Sequence, residues 1–311
     1  MENRITGNGR IIREDETLIL SEFIDKVVED MSEICGPEFE VKKMSVTKNN
    51  SVELNGISIR EKDAVVAPTI YLDSMYEKYA EGMMSVAEVE NDILRIYKTR
   101  GSLNVDVVGL FSDFSRVKER IRVRLINKEA NEELLKDVPH EDFLDLAVIY
   151  IVDFSDFEGC IIIRNSHLQY WDVDFEDIKN IAESNMKTYD DVVVKRFGDI
   201  VSELSQGNDD GDIYDGLMYI MTNSRYTFGA SGMLNKEKLS EIAEDLGRGF
   251  YLLPSSVHEI IIVPDSDDID EEYMHDMVKS INRSEVSKED FLSDSVYYFG
   301  YDADDVVIKV K

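Results

Sequence analysis

Cysteine is scarce in this sequence, and its two cysteines, Cys35 and Cys160, stand far apart with no CxxC pair. A secreted domain stabilised by disulfides would carry more of them, so we expect reduced thiols and a cytoplasmic location. Long apolar runs are also missing, since the run 147–152 falls far short of a membrane span. The N-terminus has no apolar signal-peptide core, so no membrane partner is expected.

Positive charge is scarce as well. The 311 residues include 34 Lys and Arg against 65 Asp and Glu, which gives a formal net charge of −31. A field of this sign repels nucleic acid phosphates and anionic lipid head groups, so direct binding to nucleic acid is not expected. The same charge can attract a basic protein partner. Hydrophobic residues make up 43 % of the chain, which is enough for a sizeable core and argues against disorder.

Metal-binding residue types are few and poorly spaced. The four histidines are His140, His167, His258 and His275. None of them has a second histidine or a cysteine at the spacing of a zinc site. The acidic run 265–272 has six carboxylates in eight positions, but it lacks the glycine and the closing glutamate of a calcium loop. Carboxylates also favour the positive end of a following helix, so the sequence predicts neither a metal nor a cofactor.

The order of apolar and polar segments predicts an α+β fold with mainly antiparallel sheets and flanking helices, because short strand pairs outnumber long crossovers. Helical spacing over 14–34 predicts a first helix. The alternating stretches 39–47 and 52–59, separated by the Asn-Asn pair 49–50, predict a β-hairpin. The Asn-Gly pair 55–56 suggests a bulge or a second turn within the second strand.

The chain is long for a single hydrophobic core, so two or three subdomains are expected. The small, polar and acidic segment 205–211 is the best linker in the chain. We therefore predict an N-terminal α+β subdomain over 1–104, a middle α+β unit over 105–204 and a C-terminal α+β unit over 212–311.

Two local similarities suggest an internal duplication in the C-terminal two thirds. Ile-Asn-Lys-Glu at 126–129 resembles Leu-Asn-Lys-Glu at 234–237, and each opens a predicted helix that leads to paired strands. Asn-Ser-His at 165–167 resembles Asn-Ser-Arg at 223–225, each after an apolar strand. The two matches imply different registers, so the duplication is one hypothesis for the order of elements.

Three separated segments resemble an uncharacterised bacterial family that is described only as a domain of unknown function. They are Lys48-Asn49-Asn50 through Pro68-Thr69-Ile70-Tyr71-Leu72, Val138-Pro139-His140-Glu141-Asp142-Phe143-Leu144-Asp145-Leu146-Ala147, and Phe250-Tyr251-Leu252-Leu253-Pro254-Ser255-Ser256-Val257-His258-Glu259. The family is met in low-GC Gram-positive anaerobes, and the resemblance extends from about Glu16 to about Tyr298. It implies a bacterial cytosolic protein and supplies no activity, substrate or cofactor.

The candidate catalytic residues are Ser255, Ser256, His258 and Glu259, at the entrance to a strand predicted over 257–263. A serine hydrolase needs a nucleophile beside a base that an acid orients. Neighbouring side chains of a strand point to opposite faces, so His258 and Glu259 could not pair directly. The alternative interpretation is that the serines satisfy turn backbone groups while the other two side chains hydrogen-bond at a strand start.

The candidate binding residues come from other segments. Gly229-Ala230-Ser231-Gly232 is not a GxSxG nucleophile elbow, because its second glycine comes one residue early. Gly229 and Gly232 could allow a turn, or could present backbone N–H groups to an anion before the helix that Asn235 opens. The further binding candidates are Asn223, Tyr226 and His140.

No complete catalytic motif is present, so we expect a non-enzymatic, acidic cytoplasmic protein that acts through protein–protein interaction. Two alternatives remain open. One is an acidic nucleic-acid mimic, whose carboxylates would inhibit a DNA- or RNA-binding defence protein. The other is a hydrolase or ligand-binding enzyme centred on Ser256, His258 and Glu259.

Overall fold

The computed structural model describes residues 4–5, 11–12, 17–62, 67, 69–100, 107–154, 159–189, 191–199, 218–254 and 256–311. The chain divides into two compact units, the first from 1–48 and 52–111 and the second from 49–51 and 112–311. The predicted linker 205–211 lies outside the described residues. None of the helices in the described part of the chain combines the length and the apolar character needed to span a membrane.

The first unit packs helices on a three-stranded antiparallel sheet. Its elements are β1 (Arg4–Ile5), β2 (Ile11–Ile12), α1 (Leu20–Cys35), β3 (Phe39–Thr47), β4 (Glu53–Glu61), β5 (Thr69–Tyr71), α2 (Asp73–Ala80) and α3 (Val86–Arg100), followed by α4 (Val107–Ser112), within which the division falls. The sheet order is β3-β4-β5. Phe23 and Val27 of α1 pack with Ile57 of β4 and with Val89 and Ile93 of α3, all fully buried.

The predicted hairpin is confirmed, and the predicted bulge within it is wrong. β3 and β4 pair without interruption from Phe39 opposite Glu61 to Thr47 opposite Glu53. A Cβ atom on Gly56 would lie 2.4 Å from the carbonyl oxygen of Ile70 on β5. Gly56 is therefore required by the close approach of the neighbouring strand rather than by a bend.

The second unit contains two larger antiparallel sheets. Its elements are α5 (Phe114–Val117), β6 (Ile121–Asn127), α6 (Glu132–Leu135), β7 (His140–Phe143), β8 (Leu146–Phe154), β9 (Gly159–Ile162), α7 (Asn165–Trp171), α8 (Phe175–Tyr189), β10 (Val193–Arg196), β11 (Tyr219–Thr222), α9 (Lys236–Leu246), β12 (Phe250–Leu253), β13 (Ile260–Pro264), α10 (Glu271–Glu285), β14 (Val296–Phe299) and β15 (Val307–Val310). One sheet has the order β6-β8-β7, with β9 also paired to β8. The other has the order β10-β11-β13-β12-β14-β15.

The predicted middle and C-terminal units share the larger of these sheets. β10, from the predicted middle unit, pairs with β11 of the predicted C-terminal unit from Val193 opposite Thr222 to Arg196 opposite Tyr219. Backbone hydrogen bonds of one sheet thus cross the predicted boundary, and both segments belong to one compact unit. Every strand pairing among the described residues is antiparallel, which confirms the α+β fold with mainly antiparallel sheets.

Part of the second unit repeats its strand order. β6-β8-β7 and β11-β13-β12 are both three-stranded antiparallel arrangements in which a helical segment separates the first strand from a hairpin. Asn127 and Asn235 each accept a hydrogen bond from the backbone N–H three residues later. The strand that follows each hairpin differs. β9 pairs with β8, the second strand of its hairpin, whereas β14 pairs with β12, the first strand of its hairpin. The internal duplication stays a hypothesis, now limited to these three strands.

Candidate functional site

The predicted catalytic segment forms a bend before a strand. β13 begins at Ile260 rather than at Val257, so the predicted strand start is wrong by three residues. The cause is local: Ser256 pairs with Phe291 in an isolated bridge, and its side-chain oxygen accepts the backbone N–H of His258 at 2.9 Å. Ser256 is buried and satisfies a turn donor, as the alternative interpretation expects. Ser255 lies outside the described residues.

Both ring nitrogens of His258 have partners. Nδ1 accepts the backbone N–H of Phe228 at 3.2 Å, and Nε2 lies 3.1 Å from Oδ1 of Asp290. Because Nδ1 accepts an N–H, the neutral ring carries its proton on Nε2 and donates it to Asp290. The ring also stacks on Phe228, with 5.5 Å between centroids. No ring nitrogen is left to take a proton from Ser256, so these residues do not form a nucleophile and base.

Asp290 was not found by the sequence analysis, although it is the acid that orients His258. It lies 32 positions away, and its backbone N–H donates to Ser287 Oγ at 3.1 Å. Ser287 Oγ in turn donates to the other carboxylate oxygen of Asp290 at 2.8 Å. Only the Ser-Lys-Glu-Asp turn at 287–290 signals this aspartate, and such a turn is common without any histidine partner. Glu259, which directly precedes β13, is not the partner of the ring.

The structure brings the 223–229 loop to His258. Thr222 Oγ1 donates to the carbonyl oxygen of His258 at 2.8 Å. A Cβ atom on Gly229 would lie only 2.4 Å from Thr222 Oγ1. The side-chain oxygen of Asn223 accepts the backbone N–H groups of Arg225 and Thr227, so it closes the loop on itself. A glycine at 229 is therefore needed for close approach of the loop to the strand.

Each of the other binding candidates has its own local surroundings in the described part of the chain. Tyr226 is 58 % exposed, and its ring faces the Lys195 ammonium at 5.8 Å. Gly232 is buried inside a 3-10 helix over Gly229–Leu234. The N–H groups of Ala230 and Ser231 donate to backbone carbonyls there, so they are not presented to an anion. His140 lies on β7, where its Nδ1 is 3.0 Å from the carbonyl of Val138.

A cleft that the sequence did not reveal lies elsewhere in the second unit. Its volume is about 590 Å³, and it is bounded by β6, β7, β8, α8, the 3-10 helix, the start of α9 and the segment 305–306. Its apolar lining residues are Val123, Phe143, Val148, Met186, Met233, Leu234 and Val306. This size falls within the range of ligand-binding clefts, and the apolar floor with a polar rim is typical of them.

Ion pairs occupy the rim of the cleft. Lys179 pairs with Glu141 at 2.5 Å, and the Tyr150 hydroxyl donates to the other oxygen of Glu141 at 2.8 Å. Burial and then this carboxylate raise the pKa of Tyr150 far above its ordinary value, and Glu141 also raises the pKa of Lys179. At neutral pH Tyr150 is therefore a neutral donor and Lys179 a cation, and neither is prepared to exchange a proton.

The remaining charges of the rim are paired with one exception. Lys187 pairs with Glu237 at 3.4 Å, and Lys236 pairs with Asp305. Asp142, also in the rim, pairs with Lys128 at 2.7 Å. Among the described residues Glu183 has no ion-pair partner, although it is exposed on α8 and lines the cleft. The cleft thus offers an apolar floor and one carboxylate that is open to a ligand.

Comparison with known proteins gives a family without an activity. The model of a protein family described as a family of unknown function matches residues 20–301. No curated protein and no solved structure matched the chain.

Proposed function

This chain belongs to DUF5688, the family of unknown function whose model matches it. We propose from the cleft of its second unit that the chain binds a segment of another protein without catalysing a reaction. The single observation that carries this proposal is the composition of the cleft. An apolar floor is combined with a rim whose lysines are already neutralised and whose Glu183 is not. Such a cleft suits a ligand with an apolar anchor and a positive charge.

The floor supports an apolar anchor. Val123 and Val148 come from adjacent strands, and Met186 and Met233 approach from α8 and the 3-10 helix. Methionine side chains are flexible and adapt to different apolar partners, which makes them frequent in surfaces that bind peptides. A large apolar side chain of the ligand would be removed from water on this floor, and buried anchors of this kind dominate binding energy.

The rim supports a basic segment. The lining carries five carboxylates, Glu141, Asp142, Glu183, Glu237 and Asp305, against three lysines, Lys179, Lys187 and Lys236. The local excess is thus two negative charges, in a chain whose net charge is −31. Both the local and the overall field attract a positively charged ligand and repel an acidic one.

The two alternatives receive less support. A hydrolase centred on Ser256 would need a free nitrogen on His258, and both nitrogens are engaged. A nucleic-acid mimic would need a row of unpaired carboxylates in phosphate-like positions. Exposed carboxylates in the described part of the chain are instead interrupted by cations that pair with them, as in Lys238–Glu241 and Arg95–Asp92.

The proposal is tested by selecting ligands for the purified full-length chain from a random peptide library. We expect the selected peptides to combine Lys or Arg with a large apolar residue a few positions away. Glu183→Lys should weaken binding of a selected peptide on the order of tenfold, which corresponds to about 1.4 kcal/mol. A second selection on this variant should favour acidic residues at the same position of the peptide.

Glu244→Lys is the matched control, because Glu244 is exposed on α9 outside the cleft and the substitution changes the net charge equally. This variant should bind the selected peptides within about twofold of the unchanged chain, the small loss reflecting only the overall field. Equal losses in both variants would assign binding to net charge alone and refute the cleft. Selection of no peptide at all would also refute it.

A further inference from the structure

Arg124 is a buried cation that forms no ion pair with any residue the structure describes. It projects from the middle of β6 with 8 % of its surface exposed, and its Nε is buried without a hydrogen-bond partner. Within the part of the chain that the structure describes, no acceptor receives a hydrogen bond from its guanidinium and no carboxylate forms an ion pair with it. An arginine cannot shed its charge near neutral pH, so this arrangement is unfavourable unless another group supplies acceptors.

The guanidinium is held in place by an aromatic ring. Its central carbon lies 4.2 Å from the centroid of Phe228, which is the distance of a cation–π contact. Phe228 is itself fixed, because its N–H donates to His258 Nδ1 and its ring stacks on the His258 ring. A ring of this kind supports the flat face of the guanidinium and leaves the N–H donors at its edge unsatisfied.

The surroundings favour a ligand with a single negative charge. Glu289 and Asp290 lie close enough to act on Arg124 through their charges without pairing with it. Asp290 is engaged by His258 and Ser287. A doubly charged phosphate would be repelled by these two carboxylates, whereas a carboxylate has one charge and two oxygens that match two N–H donors of an arginine.

We propose that Arg124 is the anchor of a binding site for the carboxylate group of a small organic acid, with the Phe228 ring as the support of the guanidinium. The site is independent of the cleft proposed above, because Arg124 is not among the residues that line it. It explains why a strongly acidic chain keeps a buried arginine that pairs with none of the carboxylates in the described ranges.

The test is the thermal unfolding midpoint of the full chain in sodium acetate and in sodium chloride at equal ionic strength. We expect acetate to raise the midpoint above its value in chloride, because a ligand that binds only the folded state stabilises it. Arg124→Met keeps the apolar stem and removes the donors, so it should abolish the difference between the two salts. Without acetate this variant should be at least as stable as the unchanged chain, because a buried unpaired charge is gone.

Glu244→Lys is the control, since Glu244 is exposed on α9 of the same unit, belongs to neither proposed site and should leave the acetate response unchanged when its charge is reversed. Equal midpoints of the unchanged chain in the two salts would overturn the proposal, and so would an acetate response that Arg124→Met retains. Greater stabilisation by inorganic phosphate than by acetate would overturn the carboxylate assignment. If Arg124→Met does not fold, saturation-transfer NMR of acetate with the unchanged chain decides: transfer from the protein supports the site, and its absence refutes it.

Discussion

At the scale of single residues, Asn50 shows why particular side chains occupy the tip of the first hairpin. Its φ is +56°, in the left-handed region that asparagine tolerates better than most residues. Its amide Nδ2 donates to the carbonyls of Lys288 at 2.9 Å and Phe291 at 2.6 Å. Its backbone N–H donates to Asn131 Oδ1 at 2.8 Å, and Asn131 Nδ2 donates back to its Oδ1 at 2.8 Å. Asn50, which itself belongs to the second unit, thus binds two other segments of that unit, at 131 and at 288–291.

Substitution of Asn50 separates the backbone requirement from the hydrogen bonds. Asn50→Gly keeps the left-handed conformation but loses the side-chain bonds, so we expect a loss of about 2–3 kcal/mol in the free energy of unfolding. Asn50→Ala loses the same bonds and adds backbone strain, so it should cost about 1 kcal/mol more. Urea unfolding of both variants measures the two losses.

The order of the two variants is the informative result. An alanine variant as stable as the glycine variant would show that the positive φ is not maintained at this position. A glycine variant as stable as the unchanged chain would show that the amide hydrogen bonds contribute nothing. Glu53→Gln, at the start of β4, provides the control, because Glu53 is exposed and should be replaced with little effect on stability.

At the scale of elements, the sequence predicted what local patterns encode. The helical spacing over 14–34 corresponds to α1, and the alternation on both sides of Asn50 corresponds to the hairpin of β3 and β4. The Asn-Gly pair at 55–56 gave the wrong prediction of a bulge or turn. The sequence cannot distinguish a glycine required by close approach of a neighbouring strand from a glycine required by a turn. Contacts between distant strands are not encoded in local spacing.

The same limit applies to the candidate site. His258 was singled out, but its partner Asp290 lies 32 positions away and follows a turn that is common without a histidine. Residues from β6, β7, β8, α8 and α9 line the cleft. In the sequence, the spacing of their apolar residues predicts only ordinary core positions. Arg124 alternates with apolar residues of β6, which in sequence is typical of a half-exposed strand. Its burial follows only from the elements that cover the strand.

Contact between α1 and α3 gives a prediction about pH. Glu90 of α3 faces Asp30 of α1, which also pairs with Lys26. Burial, then the hydrogen bond and charge of Asp30, raise the pKa of Glu90, while Lys26 opposes this. An acid whose pKa is raised by folding contributes its stability below the pKa of the unfolded chain, about 4.3 for glutamate, and loses it as the pH rises through the folded value.

Glu90→Gln removes this loss, because a neutral amide can donate to Asp30 at every pH. We expect a midpoint about 1–3 °C higher than that of the unchanged chain at pH 7. The gain should shrink toward zero as the pH falls to about 4, where Glu90 is itself protonated. Circular dichroism melting curves from pH 3.5 to pH 7.5 provide the measurement. Glu29→Gln, at an exposed position of α1, is the control; a gain that is constant across this range would contradict the assignment.

At the scale of the whole molecule, the net charge of −31 acts on every other property. Folding brings 65 carboxylates closer together than they are in the expanded chain, so self-repulsion opposes the folded state. Ion pairs such as Arg225–Asp153 and Lys179–Glu141 offset part of this repulsion. Exposed pairs contribute about 0–1 kcal/mol each, and 34 cations cannot neutralise 65 anions. The repulsion is therefore the larger of the two electrostatic effects.

Salt should consequently stabilise the folded chain. The screening length falls from about 20 Å at 0.02 M to about 4 Å at 0.5 M. This change removes most of the long-range repulsion but weakens the short ion pairs only slightly. We expect the thermal unfolding midpoint to rise steadily, by several degrees, as sodium chloride increases over this range. A midpoint that falls with salt would mean that the ion pairs outweigh the excess of negative charge.

The same titration applied to a peptide selected for the cleft should give the opposite sign. Attraction between a basic peptide and this acidic chain is screened by the same ions, so its dissociation constant should rise with sodium chloride while the folded chain becomes more stable. Part of the peptide affinity should persist at 0.5 M, because the apolar floor of Val123, Val148, Met186 and Met233 is insensitive to screening. Complete loss of binding at high salt would reduce the interaction to charge alone, and binding that does not change with salt would leave Glu183 without a role.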